Sequence, residues 1–154
     1  MKTKDVVWLI ALILTDQITK AIVASRMALQ QSIEIIPGFF YLTYVHNTGA
    51  AWSILEGWGL VFSLLALAVG AGILYYLARH PDTAPLERVS LIAIAAGAWG
   101  NMIDRVRLGY VVDFLHFYPF GYDFPVFNIA DCCLTVGVIL LVVYEIFFDK
   151  EARP

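Results

Sequence analysis

The run from Trp58 to Ala78 contains no charged side chain. As a helix it reaches about 30 Å, the thickness of a bilayer's hydrocarbon core. Lipid offers no partner to a backbone N–H or C=O, so a helix is the expected form of such a segment. Three other segments meet the same length criterion: 6–25, 89–107 and 131–148. Together they absorb most of the 154 residues, of which 60% are hydrophobic and only 15% charged. A soluble domain carries nearer a quarter charged residues. Trp58, Tyr75, Tyr76, Phe147 and Phe148 fall at span ends, where interfacial aromatics belong.

The expected fold is therefore an all-α membrane protein, a four-transmembrane-helix bundle forming a single integral membrane domain over 1–154. At the N-terminus, Lys2 and Lys4 precede the apolar run from Val6 to Leu14, and Asp16, Gln17 and Lys20 then interrupt it before it resumes through Val23. This predicts a retained first span rather than a cleaved signal peptide. With both ends cytoplasmic, the inner segments hold Lys2, Lys4, Arg79, Arg88, Lys150 and Arg153, and the outer ones only Arg26, Arg105 and Arg107. That bias predicts cytoplasmic termini.

Segments 26–57 and 108–130 then face outward. Ile33 to Ile36 and Phe39 to Val45 are β-branched and aromatic, with Pro37-Gly38 as a turn between them. They predict a small extracytoplasmic β-sheet at the membrane surface, followed by a short surface helix near 50–57. Pro81 and Pro85 keep the connection from Arg79 to Glu87 from continuing the helix before it.

Several classes of partner are excluded as expectations. With a net charge of -3 and no basic cluster, no nucleic acid is expected. Cys132 and Cys133 are adjacent, there is no CxxC, and His46, His80 and His116 are scattered. Neither a disulfide framework nor a metal site is expected.

The polar residues of the spans converge on one leaflet. Rising from residue 89, Asn101 lies about 18 Å up and Arg105 about 24 Å up. Asn128 and Asp131 begin the last span from the outside, and Asp113 lies in the short connection before it. Asp16 is near mid-depth, and Lys20 is one turn further out. Ionisable groups inside a membrane are costly and mark function by default. Asp16 and Lys20 are spaced i,i+4 as a helical ion pair. Asn101 and Arg105 share a face, whereas Asp104 points about 100° away and is expected to be solvated or a local partner. Gly97 and Gly100, with Ala93 and Ala96, read as close helix packing.

The acids of most interest are Asp113, framed by Val111-Val112 and Phe114-Leu115, and Asp131, in Phe127-Asn128-Ile129-Ala130-Asp131. Asn128 is placed to cap the helix that Asp131 begins. Two carboxylates in one desolvated site share a proton, so that one serves as base and the other as acid. Such a pair activates water for attack on a peptide carbonyl. Two other classes compete. A small proton-coupled transporter or channel component also uses intramembrane Asp, Lys and Arg, but needs them along a crossing path. A cysteine hydrolase on Cys132 or Cys133 with His116 has no supporting motif, and packing is the expected role of both thiols.

At these residues the chain resembles the bacterial lipoprotein signal peptidases, or signal peptidase II, over essentially its whole length. Asp16-Gln17-x-x-Lys20 is similar to the family's first-span motif, and Asn47-Thr48-Gly49-Ala50-Ala51-Trp52 to the motif of its first outer segment. Gly97 to Arg105, Val111 to Phe114 and Phe127 to Asp131 resemble its remaining three motifs. Ala96 stands where a second glycine is usual and Trp52 where phenylalanine is usual. The resemblance implies an intramembrane aspartic endopeptidase that removes the signal peptide from diacylglyceryl-modified prolipoproteins, cutting on the N-terminal side of the lipidated cysteine. It implies Asp113 and Asp131 as the catalytic pair. Asp16, Lys20, Asn47, Gly49, Asn101, Arg105, Asn128 and Ala130 would bind substrate or support the acids. It further implies a four-helix bundle with an extracytoplasmic β-cradle in the bacterial cytoplasmic (inner) membrane. No metal or organic cofactor is implied. The implied partners are the prolipoprotein, membrane phospholipid and globomycin-type inhibitors.

Overall fold

The structure is a computed structural model that describes residues 1–49 and 57–148. These form four helices and three strands: α1 (Thr3–Arg26), β1 (Ser32–Ile36), β2 (Phe40–Asn47), α2 (Gly59–Arg79), α3 (Pro85–Leu108), β3 (Val111–Phe117) and α4 (Ile129–Phe147). The surface helix expected near 50–57, and Ala50, Ala51 and Trp52 of the outer motif, lie outside the described residues, apart from Gly57, which is in a turn.

Local chemistry sets the helix limits. Pro85 occupies the first position of α3, where its missing N–H costs nothing, so the helix starts one turn before the apolar run at 89. Gly109, at φ +82°, ends it in a left-handed cap, its N–H donating to the Arg105 carbonyl at 3.1 Å. α1, α2 and α4 are long and apolar enough to cross a membrane. α3 does not meet that composition criterion, because Asn101, Asp104, Arg105 and Arg107 crowd its last turns.

α3 is the hub of the bundle, packing against α1, α2 and α4. Its small residues let the neighbours come close. A Cβ on Gly97 would run into the Ala130 carbonyl and Leu134, and one on Gly100 would sit 2.8 Å from an Asp16 carboxylate oxygen. Gly70 of α2 receives the Trp99 ring, and Gly137 of α4 abuts Ile94 and the Ser90 carbonyl. The outer faces stay apolar: Leu60, Leu64, Ile139 and Ile146 are all more than half exposed, a surface suited to lipid.

The three strands form one antiparallel sheet in the order β1-β2-β3. The Pro37-Gly38 turn joins β1 to β2 as the sequence predicts. β3 is a departure: the sequence reading treats this stretch as a plain connection. Tyr110 to Phe117 alternates weakly, and its pairing with β2 is a long-range match that no local pattern encodes. Period two sends Val112 and Phe114 into an apolar cluster with Val23 and Tyr44. Asp113 is thereby turned to the opposite face. The far edge of β3 is held by Phe127, which exchanges backbone hydrogen bonds with Leu115 at 2.8 and 3.0 Å.

At the end of the bundle opposite the sheet, Arg88 donates to Asp5 Oδ2 at 2.7 Å, and both are almost fully buried. Arg88 also donates to the carbonyls of His80 and Pro81. It is thus an internal staple between the starts of α1 and α3, in addition to a cation in the charge count.

Candidate active site

Asp131 stands in the first turn of α4, and Asn128 caps that helix. The Asp131 N–H donates to Asn128 Oδ1 at 3.0 Å, and the Asn128 N–H donates back to Asp131 Oδ2 at 3.1 Å. This reciprocal box is the arrangement that the Asn-x-x-Asp spacing predicts. The same Asn128 side chain donates through Nδ2 to Asp113 Oδ1 at 2.6 Å. One amide therefore ties the strand acid to the helix acid.

Two more amides complete the set. Asn47 Nδ2 donates to Asp113 Oδ2 at 3.0 Å, and Asn101 Nδ2 donates to Asp131 Oδ1 at 2.7 Å. An amide can present oxygen or nitrogen, and the network decides which. The oxygen of each is claimed by a donor elsewhere: Gly49 N–H holds that of Asn47 at 3.0 Å, Asp131 N–H that of Asn128, and Lys20 Nζ that of Asn101 at 2.9 Å. All three must turn nitrogen toward the carboxylates.

Asp113 is 2% exposed. Burial, reinforced by the neighbouring Asp131 charge, pushes its carboxyl up to about 7, against the opposing hydrogen bonds from Asn47 and Asn128. Both acids line a cavity of about 520 Å³. Asn47, Asn101 and Arg105 share its polar end, and Phe124, Phe127, Leu134 and Val136 form apolar walls. The cavity thus presents two carboxylates beside apolar walls, a layout suited to proton transfer on a substrate with an apolar portion.

The other sequence-selected residues gather behind this wall. Lys20 pairs with Asp16 at 2.9 Å, and Asp16 Oδ1 accepts the Ala130 N–H at 2.8 Å, satisfying an otherwise free donor at the start of α4. Ala130 itself is buried, its methyl against Gly100. Arg105 donates to the Gly49 carbonyl at 3.0 Å and lies over the Phe62 ring at 5.5 Å.

Of the two roles expected for Asp104, solvated or a local partner, the structure has the second. It is 3% exposed, 3.1 Å from Lys20 Nζ, and accepts the Val112 N–H at 3.0 Å and Gln17 Nε2 at 2.9 Å. The sequence reading names Asp104 as solvated or a local partner and Gln17 within the first-span motif, but places neither among the site residues. The available signal was the i,i+3 spacing of Asn101 and Asp104 combined with a lone lysine in the first span. Of the thiols, Cys132 lines the cavity and both cysteines are half-buried. His116 is engaged by Thr43 Oγ1 at 3.0 Å and Asp123 at 2.7 Å.

Comparison with known proteins adds three findings. A family model described as signal peptidase (SPase) II matches residues 8–147. A lipoprotein signal peptidase of Symbiobacterium thermophilum is 51% identical over 147 residues, covering 96% of this chain and 97% of its own, and one of Bacillus pumilus is 45% identical, covering 92% of each. A solved structure described as a bacterial membrane enzyme obtained by the in meso method at 2.3 Å is 37% identical, with a TM-score of 0.89 over 97% of this chain and 92% of that one. A second, at 1.9 Å, is 38% identical with a TM-score of 0.84, covering 96% and 94%.

Proposed function

Because the chain belongs to the signal peptidase II family, we propose that it is an aspartic endopeptidase that removes the signal peptide from diacylglyceryl-modified prolipoproteins. The cut falls on the N-terminal side of the lipidated cysteine. The observation that carries the mechanism is the pair of carboxylates at one end of a largely apolar cavity, each gripped by two N–H donors.

The reaction divides between the two acids. In this reading Asp131, which accepts a backbone N–H and the amide that Lys20 orients at the positive end of α4, serves as the ionised member. The shared proton rests on Asp113. Asp131 takes a proton from water as the oxygen attacks the scissile carbonyl, while Asp113 gives its proton to the carbonyl oxygen. A tetrahedral diol forms with no covalent enzyme species. Its collapse breaks the C–N bond, and the proton held by Asp131 passes to the departing cysteine amine. The signal peptide's new carboxyl returns the other proton to Asp113. Asn47, Asn101 and Asn128 hold the acids, and Arg105, donating to the Gly49 carbonyl, braces the chain just after Asn47.

All four helices span the bacterial cytoplasmic membrane in this reading, and the chain is one integral membrane domain with both termini inside. α3 qualifies despite its polar turns because Asn101 and Asp104 are buried among partners rather than facing lipid. The sheet and the carboxylates lie at the outer leaflet, where the acyl chains of the substrate and of phospholipid reach them. Globomycin-type inhibitors occupy the same cavity. A transporter reading requires a polar path across the bundle. Between the Asp5–Arg88 staple and the site lies an apolar cluster of Leu9, Leu77, Ile92, Ala95 and Ala96.

The test is cleavage of a purified diacylglyceryl prolipoprotein by the detergent-solubilised protein. The expected result is loss of product for Asp113→Asn and for Asp131→Asn with the helix content unchanged, and no effect of a thiol blocker. Full activity in either variant would remove the dyad assignment, and cutting of the unlipidated precursor at an equal rate would remove the substrate.

A further inference from the structure

Behind the two carboxylates lies a buried cluster of opposite charges that the reaction itself does not consume. Lys20 Nζ sits 2.9 Å from Asp16 and 3.1 Å from Asp104, and donates to Asn101 Oδ1 at 2.9 Å. Lys20, Asp16 and Asp104 are each no more than 3% exposed. Gln17 closes the group, its Nε2 reaching Asp16, Asp104 and the Gly100 carbonyl. A lysine in the membrane needs one carboxylate for neutrality. Here it has two, Asp16 and Asp104, so neutralising Lys20 leaves one carboxylate in excess of what insertion requires.

The connections outward give the excess a use. Asp104 Oδ2 accepts the N–H of Val112, the residue directly before Asp113. Lys20 fixes the oxygen of Asn101, and so compels its nitrogen to face Asp131. Lys20 thus reaches Asp131 through the Asn101 amide, and Asp104 reaches Asp113 through the peptide N–H of the residue before it.

We propose that Asp104 and Lys20 are the positioning residues of the proteolytic pair, Asp104 fixing the strand that carries Asp113 and Lys20 the amide that orients Asp131, with their opposite charges setting how tightly the pair holds its shared proton. This rests on the dyad assigned under the proposed function. Other charges face the pair too. α1 brings Asp16, and α3 brings Arg105, with Arg107 at the surface end against Gln17. α4 brings the Cys132 thiol, and β2 carries His46, stacked on Tyr110 at 3.6 Å. Substitutions at Lys20 and Asp104 change none of these residues, although Lys20→Met removes the counter-ion of Asp16.

The sign of the effect distinguishes this role from a structural one. Lys20→Met removes a cation, so the pair keeps its proton to higher pH. Asp104→Asn removes an anion while leaving an acceptor for the Val112 N–H, so the pair loses its proton at lower pH. The alkaline limb of kcat/KM is expected to move up by about one unit in Lys20→Met and down by a similar amount in Asp104→Asn, the scale of one charge a few ångströms away. Lys20→Arg should stay at the wild-type position. Asp104→Ala, which also frees the Val112 N–H, should lose about 100-fold in kcat with KM unchanged.

Infrared titration of the protonated carboxyl band, assigned by its loss in Asp113→Asn, tracks the same shifts with no substrate present. It separates failure of this inference from failure of the proposed function. Shifts of the band in opposite directions support the assignment even if the prolipoprotein is not cut. A band that stays put, or moves the same way in both variants, overturns it, whatever the wild type cleaves. A variant that unfolds on heating earlier than wild type but keeps its midpoint counts as structural only, and also overturns it.

Discussion

Asp113 holds its proton near neutrality because it is buried beside a second acid, and that proton is what the proposed mechanism uses. Activity should therefore fall as pH rises through about 7, a decline read from kcat/KM between pH 6 and 9. Stability changes with a definite sign. A carboxyl raised from 3.8 to about 7 binds more protons folded than unfolded between those values, so the fold loses stability as pH rises through that window. Asp113→Asn abolishes that loss. The variant should match or fall below wild type near pH 4 and exceed it above pH 7, by about 2–4 kcal/mol. Thermal unfolding in detergent at the two pH values measures the crossing. A constant difference between the proteins at both would contradict it.

Close approach between helices is specified by single glycines, and they are not equivalent. Gly97 faces the Ala130 backbone, which cannot give way, so Gly97→Ala should cost about 1–3 kcal/mol and most of the activity by displacing α4 from α3. Gly72 has nothing near its Cβ position, and Gly72→Ala should be neutral or slightly stabilising. Paired denaturation of the two variants tests this. At the Asp5–Arg88 staple, Arg88→Met strands a buried carboxylate and should cost about 3–5 kcal/mol, whereas Asp5→Leu together with Arg88→Met should recover most of it. These elements also show where sequence patterning stops being informative. The apolar runs of α1, α2 and α4, the Pro37-Gly38 turn and the Asn128 cap are written in neighbouring residues, and the structure has them. β3, the burial of Asp104 and the pairing of Arg88 with Asp5 depend on partners far away along the chain. A strand completed by its neighbour and a charge hidden by its counter-ion look, in a single sequence, like a loop and a solvated surface.

At the scale of the molecule, polar chemistry is collected at the two ends and apolar surface wraps the outside. The connection between α2 and α3 and the segment after β3 lie at opposite ends of the bundle, which gives the proposed topology a direct test. In a Cys132→Ser, Cys133→Ser background, Thr83→Cys and Tyr122→Cys should react with an impermeant maleimide from opposite faces of the membrane, Tyr122→Cys from the outside. Labelling of both from the same side would reduce the number of crossings and remove α3 as a span.

Asn128 does two jobs with one side chain: it caps α4 through Oδ1 and joins the two acids through Nδ2. That union has a bearing on drug resistance. A compound that anchors on Asp113, Asp131 and the amide between them contacts atoms the cell cannot redraw cheaply. Any escape substitution at 128 would unwind the start of a helix as well as loosen the inhibitor, so resistance should arise along the apolar walls, at Phe124, Leu134 or Val136, rather than at the polar end.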